Sequence, residues 1–222
     1  MKKPFILVLL STILLFSFCG CCLLYDYELY AIDSFNIGYT KLLKDAYVGD
    51  YNWDGSDEGK TIIIPETYGN CTISALGGYS GRGYPSAFQI IPTEDARNIL
   101  CPNATEWSYV SSTQNIEPNS VQYLRFKVHI SKYISDINEL NAGGIILAEF
   151  IEGEETKNNV YVLICYVTCD EENKHFYAKD GKLYFKENDM LVDDIFYEDF
   201  VLEQHNETHK DEPVVAIPFA RK

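Results

Sequence analysis

Apolar and polar residues alternate one by one along much of the chain. That is the period of a half-buried strand, not the 3.6-residue period of a helix. "YLRFKVHI" is the cleanest case: Leu124, Phe126, Val128 and Ile130 fall on one face, and Tyr123, Arg125, Lys127 and His129 on the other. The pattern predicts one buried and one wet face. "NNVYVLICYVTC" is apolar on both faces and predicts a central strand. "KLLKDAYVGDYNW" predicts a strand from about Ala46 to Trp53, "KTIIIP" a short strand ended by Pro65, and "CTISAL" another. "HFYAKDGKLYFK" reads as two strands around an Asp-Gly turn, a strong hairpin signal. "PVVAIPF", with a proline at each side, predicts a last, edge strand.

Helical periodicity is scarce. "TEDARNIL" suits a two-turn helix, with Thr93 as cap and Glu94 and Asp95 in the first turn. "SKYISDINEL" fits either state. The expected fold class is mainly β: a compact, β-rich domain with a few short helices and no regular solenoid. The polar stretch "CPNATEWSYVSSTQNIEPNS" marks two candidate halves, about 25–100 and 120–222, within one domain spanning 25–222.

The first 24 residues change the picture. Lys2 and Lys3 precede the apolar run "PFILVLLSTILLFSF", which leads into "CGCC". That is the layout of a targeting segment. Three readings compete: a bacterial lipoprotein signal, a plain signal peptide, and an uncleaved anchor, since Phe5 to Leu24 carries no charge and is about as long as a bilayer is thick. "FCGC" resembles a lipobox, with Phe18 where leucine is usual, and places lipidation at Cys21, which follows Gly20. Each reading puts the remaining domain outside the cytoplasm, attached to the membrane in the first and third. "GGIILAEF" and "VYVLICYV" are too short to span and read as strands.

The net charge is −15, and every Asp and Glu lies beyond the targeting segment. An acidic surface argues against nucleic acid and anionic headgroups as partners. Four of the seven cysteines, Cys71, Cys101, Cys165 and Cys169, belong to the domain. Outside the cytoplasm they permit three pairings, and buried free thiols are the competing expectation. Cys165 and Cys169 sit about 13 Å apart along a strand, too far to bond to each other. No paired C-x-x-C is present, which argues against zinc.

Two stretches carry a family likeness. "KTIIIPETYGNCTISALGGYSGRGYPSAF" resembles the strand-turn unit of BspA-type leucine-rich repeat proteins of bacterial surfaces, in which a strand ending in "IP" leads through a turn into a second strand. "HFYAKDGKLYFKEND" resembles the same family's "Y-x-x-x-D-G-x-L-Y" turn, and "FKVHISKYISDI" fits its strand followed by "I-x-x-I". The matches cover about a third of the chain and show no regular period of the length expected for a solenoid. The resemblance implies a surface location and, for some members, binding to host or matrix proteins. It implies no enzyme. The matched positions are structural: the Asp180-Gly181 turn and inward Leu183 and Ile63.

Catalytic motifs are few. "HNETH" places His205 and His209 four apart, but Asn206 stands where a zinc protease needs Glu, so a solvated tail explains it better. "GGYSGRGYP" lacks the spacing of a nucleophile elbow and the ending of a phosphate loop. It is still the most suggestive loop, because glycines flank Tyr79, Arg82 and Tyr84, two stacking faces and a cation suited to ligand binding. A loop packing its own tyrosines over a sheet edge is the plainer account. "DYNWDGSDEG" spaces Asp50, Asn52, Asp54 and Gly55 like a calcium loop. Its twelfth position is Thr61 instead of Glu, and its flanks read as strands, so a hairpin turn from Trp53 to Lys60 explains more. No cofactor is expected. The resulting expectation is an envelope-anchored extracellular binding protein with a protein or glycan ligand and no catalysis; the alternative is a glycan hydrolase using unidentified carboxylates.

Overall fold

The computed structural model describes residues 28–32, 34–40, 45–55, 61–78, 88–110, 118–137, 140–141, 143–192, 195 and 197. They form two sheets face to face and a small hairpin. Sheet A begins as an antiparallel meander of β1 (Glu28–Ile32), β2 (Phe35–Thr40) and β3 (Asp45–Trp53). The far edge of β3 is shared by two parallel strands. β6 (Cys71–Leu76), which the two-residue strand β5 (Thr67–Tyr68) flanks antiparallel, pairs with Ala46–Val48, and β7 (Phe88–Pro92) pairs with Asp50–Trp53. The two-residue strands β10 (Asp136–Ile137) and β11 (Leu140–Asn141) extend β6 and β7. The stretch "SKYISDINEL" thus becomes a turn and two strand fragments.

Sheet B has the order β4 (Thr61–Ile63), β9 (Ser120–Ile130), β13 (Glu155–Cys169), β12 (Gly144–Glu152) and β8 (Ala104–Val110). β13 is central, as its two apolar faces require. Tyr161, Leu163, Cys165 and Val167 join the main core, whereas Val160, Val162 and Ile164 form a second cluster with Ile145 on the outward face. β9 alternates as its sequence predicts, burying Leu124, Phe126, Val128 and Ile130. The main core takes residues from both halves of the chain, including Ile37, Val48 and Ile90 of sheet A and Phe126 and Leu163 of sheet B.

The one helix among the described residues, α1 (Glu94–Leu100), starts where predicted. Thr93 Oγ1 accepts the Ala96 N–H at 3.4 Å. The Asp-Gly hairpin of β14 (Phe176–Lys179) and β15 (Lys182–Phe185) is also present. Asp180 and Gly181 have φ of 52° and 79°, as a two-residue turn of this hand requires. β12 leaves the flank of β13 at Gly144, opposite Leu163, and β13 runs on. The Val167 N–H then donates to Gly181 O at 2.8 Å and docks the hairpin turn there.

Two expectations are corrected. Strands β3 and β4 do not form a hairpin across "DYNWDGSDEG": β3 pairs within sheet A, and β4 pairs with β9 in sheet B, so the connection passes between sheets. β3 does end at Trp53, and Gly55 turns with φ 87° against Ala96 and Ile99 of α1. Ile63 is not inward. It is 63% exposed, and the two-residue period of β4 turns Ile62 and Ile64 into the core instead. The repeat-like unit is therefore split between sheets: "TII" lies in sheet B and "CTISAL" in sheet A.

Candidate functional site

Polar groups concentrate at one end of the sandwich, where β9 and β13 run out together into turns. Asn173 holds these turns. It is fully buried, and all four hydrogen-bonding positions of its side chain are used. Its Nδ2 donates to Ser131 O at 2.8 Å and Ile134 O at 2.9 Å, and its Oδ1 accepts the N–H groups of His175 and Phe176, each at 2.8 Å. A buried carboxamide satisfied in this way locks the turn after β9 to the turn before β14. The Ser135 N–H donates to Ser74 O at 2.8 Å and ties both turns to sheet A.

Beside this lock runs a side-chain relay. His129 Nδ1 is 2.9 Å from Thr168 Oγ1, and His129 Nε2 is 3.1 Å from Asp170 Oδ1. Asp170 Oδ2 accepts the Lys132 N–H at 2.8 Å. The polar face of "YLRFKVHI" supplies the histidine, and parallel pairing sets His129 opposite Thr168. Sequence alternation marks His129 as outward, but its partners lie about 40 residues away, as the separations of 39 and 41 residues show, and no local spacing announces them.

The same turns wall a cleft of about 220 Å³ between β10 and the hairpin. Phe176 and Phe185, with ring centroids 5.2 Å apart, form its apolar wall. Asp136, Lys174, His175 and Glu187 supply charged and titratable groups around it. The volume is below the range of about 300–1,000 Å³ typical of whole small-molecule pockets. It suits one group of a larger ligand, a sugar ring or a side chain. No local sequence signal marks the cleft, because Asp136 and Glu187 are brought together only by the docking of the hairpin.

A second polar patch lies on the outward face of sheet A. Asp50 and Asn52, two apart on β3, share that face, and Asn36 of β2 stands beside them, its Nδ2 donating to Asp50 Oδ2 at 3.2 Å. Burial pushes the Asp50 carboxyl above its usual value, and the Asn36 hydrogen bond partly offsets this. Asp54 is exposed beyond the strand end. Tyr109 of β8 is held nearby. Its hydroxyl donates to Ile90 O at 3.3 Å, and burial of that end raises its pKa to about 12, with Arg97 opposing and Asp50 adding to the shift.

Cys21, the loop residues Tyr79, Arg82 and Tyr84, and His205 and His209 lie outside the described residues, as does "PVVAIPF". The four domain cysteines are all free thiols, and Cys71, Cys101 and Cys165 are buried. Among the described residues no helix is long and apolar enough to cross a membrane, and no three His, Cys, Asp or Glu side chains gather as a metal cluster. No protein-family model matches the sequence, and no curated protein matches it.

Proposed function

We propose that this chain is an envelope-anchored extracellular binding protein without catalysis, a degenerate relative of BspA-type surface proteins that holds part of a protein or glycan ligand in the cleft beside the hairpin. The observation that carries the reading is the combination of two phenylalanine rings with Asp136, Lys174, His175 and Glu187 in one cleft beside the turns that Asn173 fixes. Aromatic surface plus a few placed polar groups on a rigid frame is the usual make-up of a recognition site. The N-terminal pattern supports display outside the cell, and the acidic charge supports a ligand other than nucleic acid. Incubating the full-length chain with isolated cell-wall polysaccharide and with matrix proteins tests this reading. Saturable retention by one of them is expected; retention by neither would overturn it.

A second reading, an extracellular glycan hydrolase, draws on the presence of Asp136 and Glu187 in one cleft, since glycoside hydrolysis uses two carboxyl groups flanking the bond. Release of reducing ends from cell-wall glycan, abolished by both Asp136→Asn and Glu187→Gln, would favour it over binding alone.

A further inference from the structure

Asp50 presents an unusual electrostatic problem. Its residue is only 5% exposed, its Oδ2 takes a hydrogen bond from Asn36, and its Oδ1 is buried with no hydrogen-bond partner. An ionised carboxylate withdrawn from water is stabilised only by opposing charge and by donors to both oxygens. The described lysine–carboxylate pairs, Lys132–Glu172 and Lys157–Glu152, lie elsewhere, and Arg97, which shares the Tyr109 hydroxyl with Asp50 as an electrostatic neighbour, forms no described ion pair with it.

Two carboxamides stand beside this carboxylate. Asn36 donates to Asp50 Oδ2, and Asn52 Nδ2 stands 3.5 Å from Asn36 Oδ1. A carboxamide offers nitrogen or oxygen to the same point by a half-turn of its terminal torsion. With oxygens turned inward, a rotation that exchanges the Asn36–Asp50 hydrogen bond for cation ligation, the patch presents one carboxylate and two amide oxygens from two adjacent strands. An all-oxygen set with a single formal charge suits a hard cation, and among divalent ions the larger, geometrically tolerant calcium. Strand geometry makes the convergence: the two-residue period puts Asp50 and Asn52 on one face, and antiparallel pairing sets β2 beside them. Tyr51, between them, turns inward against Phe35, with centroids 5.1 Å apart.

We propose that Asp50, Asn52 and Asn36 form a calcium-binding site on the outward face of sheet A, with Asp50 Oδ1 as the anchoring ligand and water completing the shell. This site is not a helix-loop-helix calcium loop. It uses every second residue of a strand and a neighbouring strand, and Asp54 and Gly55 take no part. It is independent of the cleft and of the ligand proposed there.

The test is calorimetric titration of the full-length, chelator-treated chain with calcium alone, together with thermal unfolding in chelator and in millimolar calcium. One site per chain and a calcium-dependent rise in Tm are expected, with at least a tenfold loss of affinity in Asp50→Asn. Because Asp50→Asn could fail to fold, Asn52→Ala, at a half-buried position, is the second variant, and the same direction of loss is expected there. Absence of calcium-dependent heat and Tm shift in the wild-type chain would overturn the proposal. So would unchanged calcium affinity in a folded Asp50→Asn variant or, where that variant does not fold, in Asn52→Ala.

Discussion

Trp53 meets Phe126 edge to face, with ring centroids 5.3 Å apart and planes at 86°. One ring comes from sheet A and the other from sheet B, so this contact is a direct joint between the two layers. Both side chains are almost completely buried. Phe126→Ala removes the joint and leaves a cavity, at an expected cost of about 3–5 kcal/mol. Equilibrium urea unfolding followed by tryptophan fluorescence measures it, and a loss under about 1 kcal/mol would mean the sheets are held mainly elsewhere.

Asn173 is expected to matter for stability out of proportion to its size. Replacement by alanine strands the Ile134 carbonyl and the N–H groups of His175 and Phe176, and leaves Ser131 O with only the Ile134 N–H at 3.3 Å. Truncation that leaves buried groups unpaired costs about 1–3 kcal/mol for each group when none is rescued by water, and such costs are not additive. A total of about 2–4 kcal/mol is expected. Asn173→Asp should be no better at neutral pH, because a carboxylate would face the carbonyls of Ser131 and Ile134. Thermal unfolding of the two variants side by side checks this.

Gly181 combines two requirements. Its φ is 79°, and a Cβ there would run into the Tyr166 ring. Gly181→Ala should therefore lose about 2–4 kcal/mol through backbone strain and overpacking together. The double variant Gly181→Ala with Tyr166→Ala should lose less in urea unfolding than the sum of the two single losses, because the overlap with the ring is then gone.

These positions show what the sequence discloses and where it stops. The alternation of Leu124 to Ile130, the two-sided run of β13, the Thr93 cap and the Asp180-Gly181 turn are local signals, and each leads to the element it predicts. Pairing is not local. Nothing between Trp53 and Thr61 says that the chain leaves one sheet for the other, so two neighbouring strands read as a hairpin. The run "III" in Ile62–Ile64 is three consecutive isoleucines, and only Thr61 before it hints at the parity, so Ile63 reads as inward although Ile62 and Ile64 are the buried pair. The relay His129–Thr168–Asp170 and the cleft were hidden for the same reason, since their members meet only through strand order. Asp50 and Asn52 were legible as an oxygen-rich pair. Their third neighbour, Asn36, was not, because it arrives on another strand.

The free thiols give a prediction in the alkaline range. Burial raises Cys165 from 9.0 to about 12, and burial with the Asp170 charge raises Cys169 from 9.0 to about 11. Both groups stay protonated in the folded chain at a pH where the unfolded chain has begun to lose those protons. The folded state then binds more protons, so stability falls as pH rises above about 9 and is unaffected by these groups at pH 7. Cys165→Ala should flatten that alkaline loss relative to wild type. In native protein at pH 8, alkylation mapped by mass spectrometry should leave Cys165 unmodified until denaturant is added.

The cleft beside the hairpin carries the functional reading, and it can be probed without knowing the ligand in detail. Lys174 and Glu187 are both exposed and line that cleft. Their replacement by alanine should leave the fold within about 0.5 kcal/mol of wild type. The decisive measurement is the dissociation constant of the full-length chain on whichever of cell-wall polysaccharide or matrix protein retains it, compared with that of the Lys174→Ala, Glu187→Ala double variant. The binding account predicts a weakening of about tenfold or more, consistent with the loss of about 1.4 kcal/mol or more of contact energy, with no chemical change in the ligand. An unchanged dissociation constant in the folded double variant would contradict it.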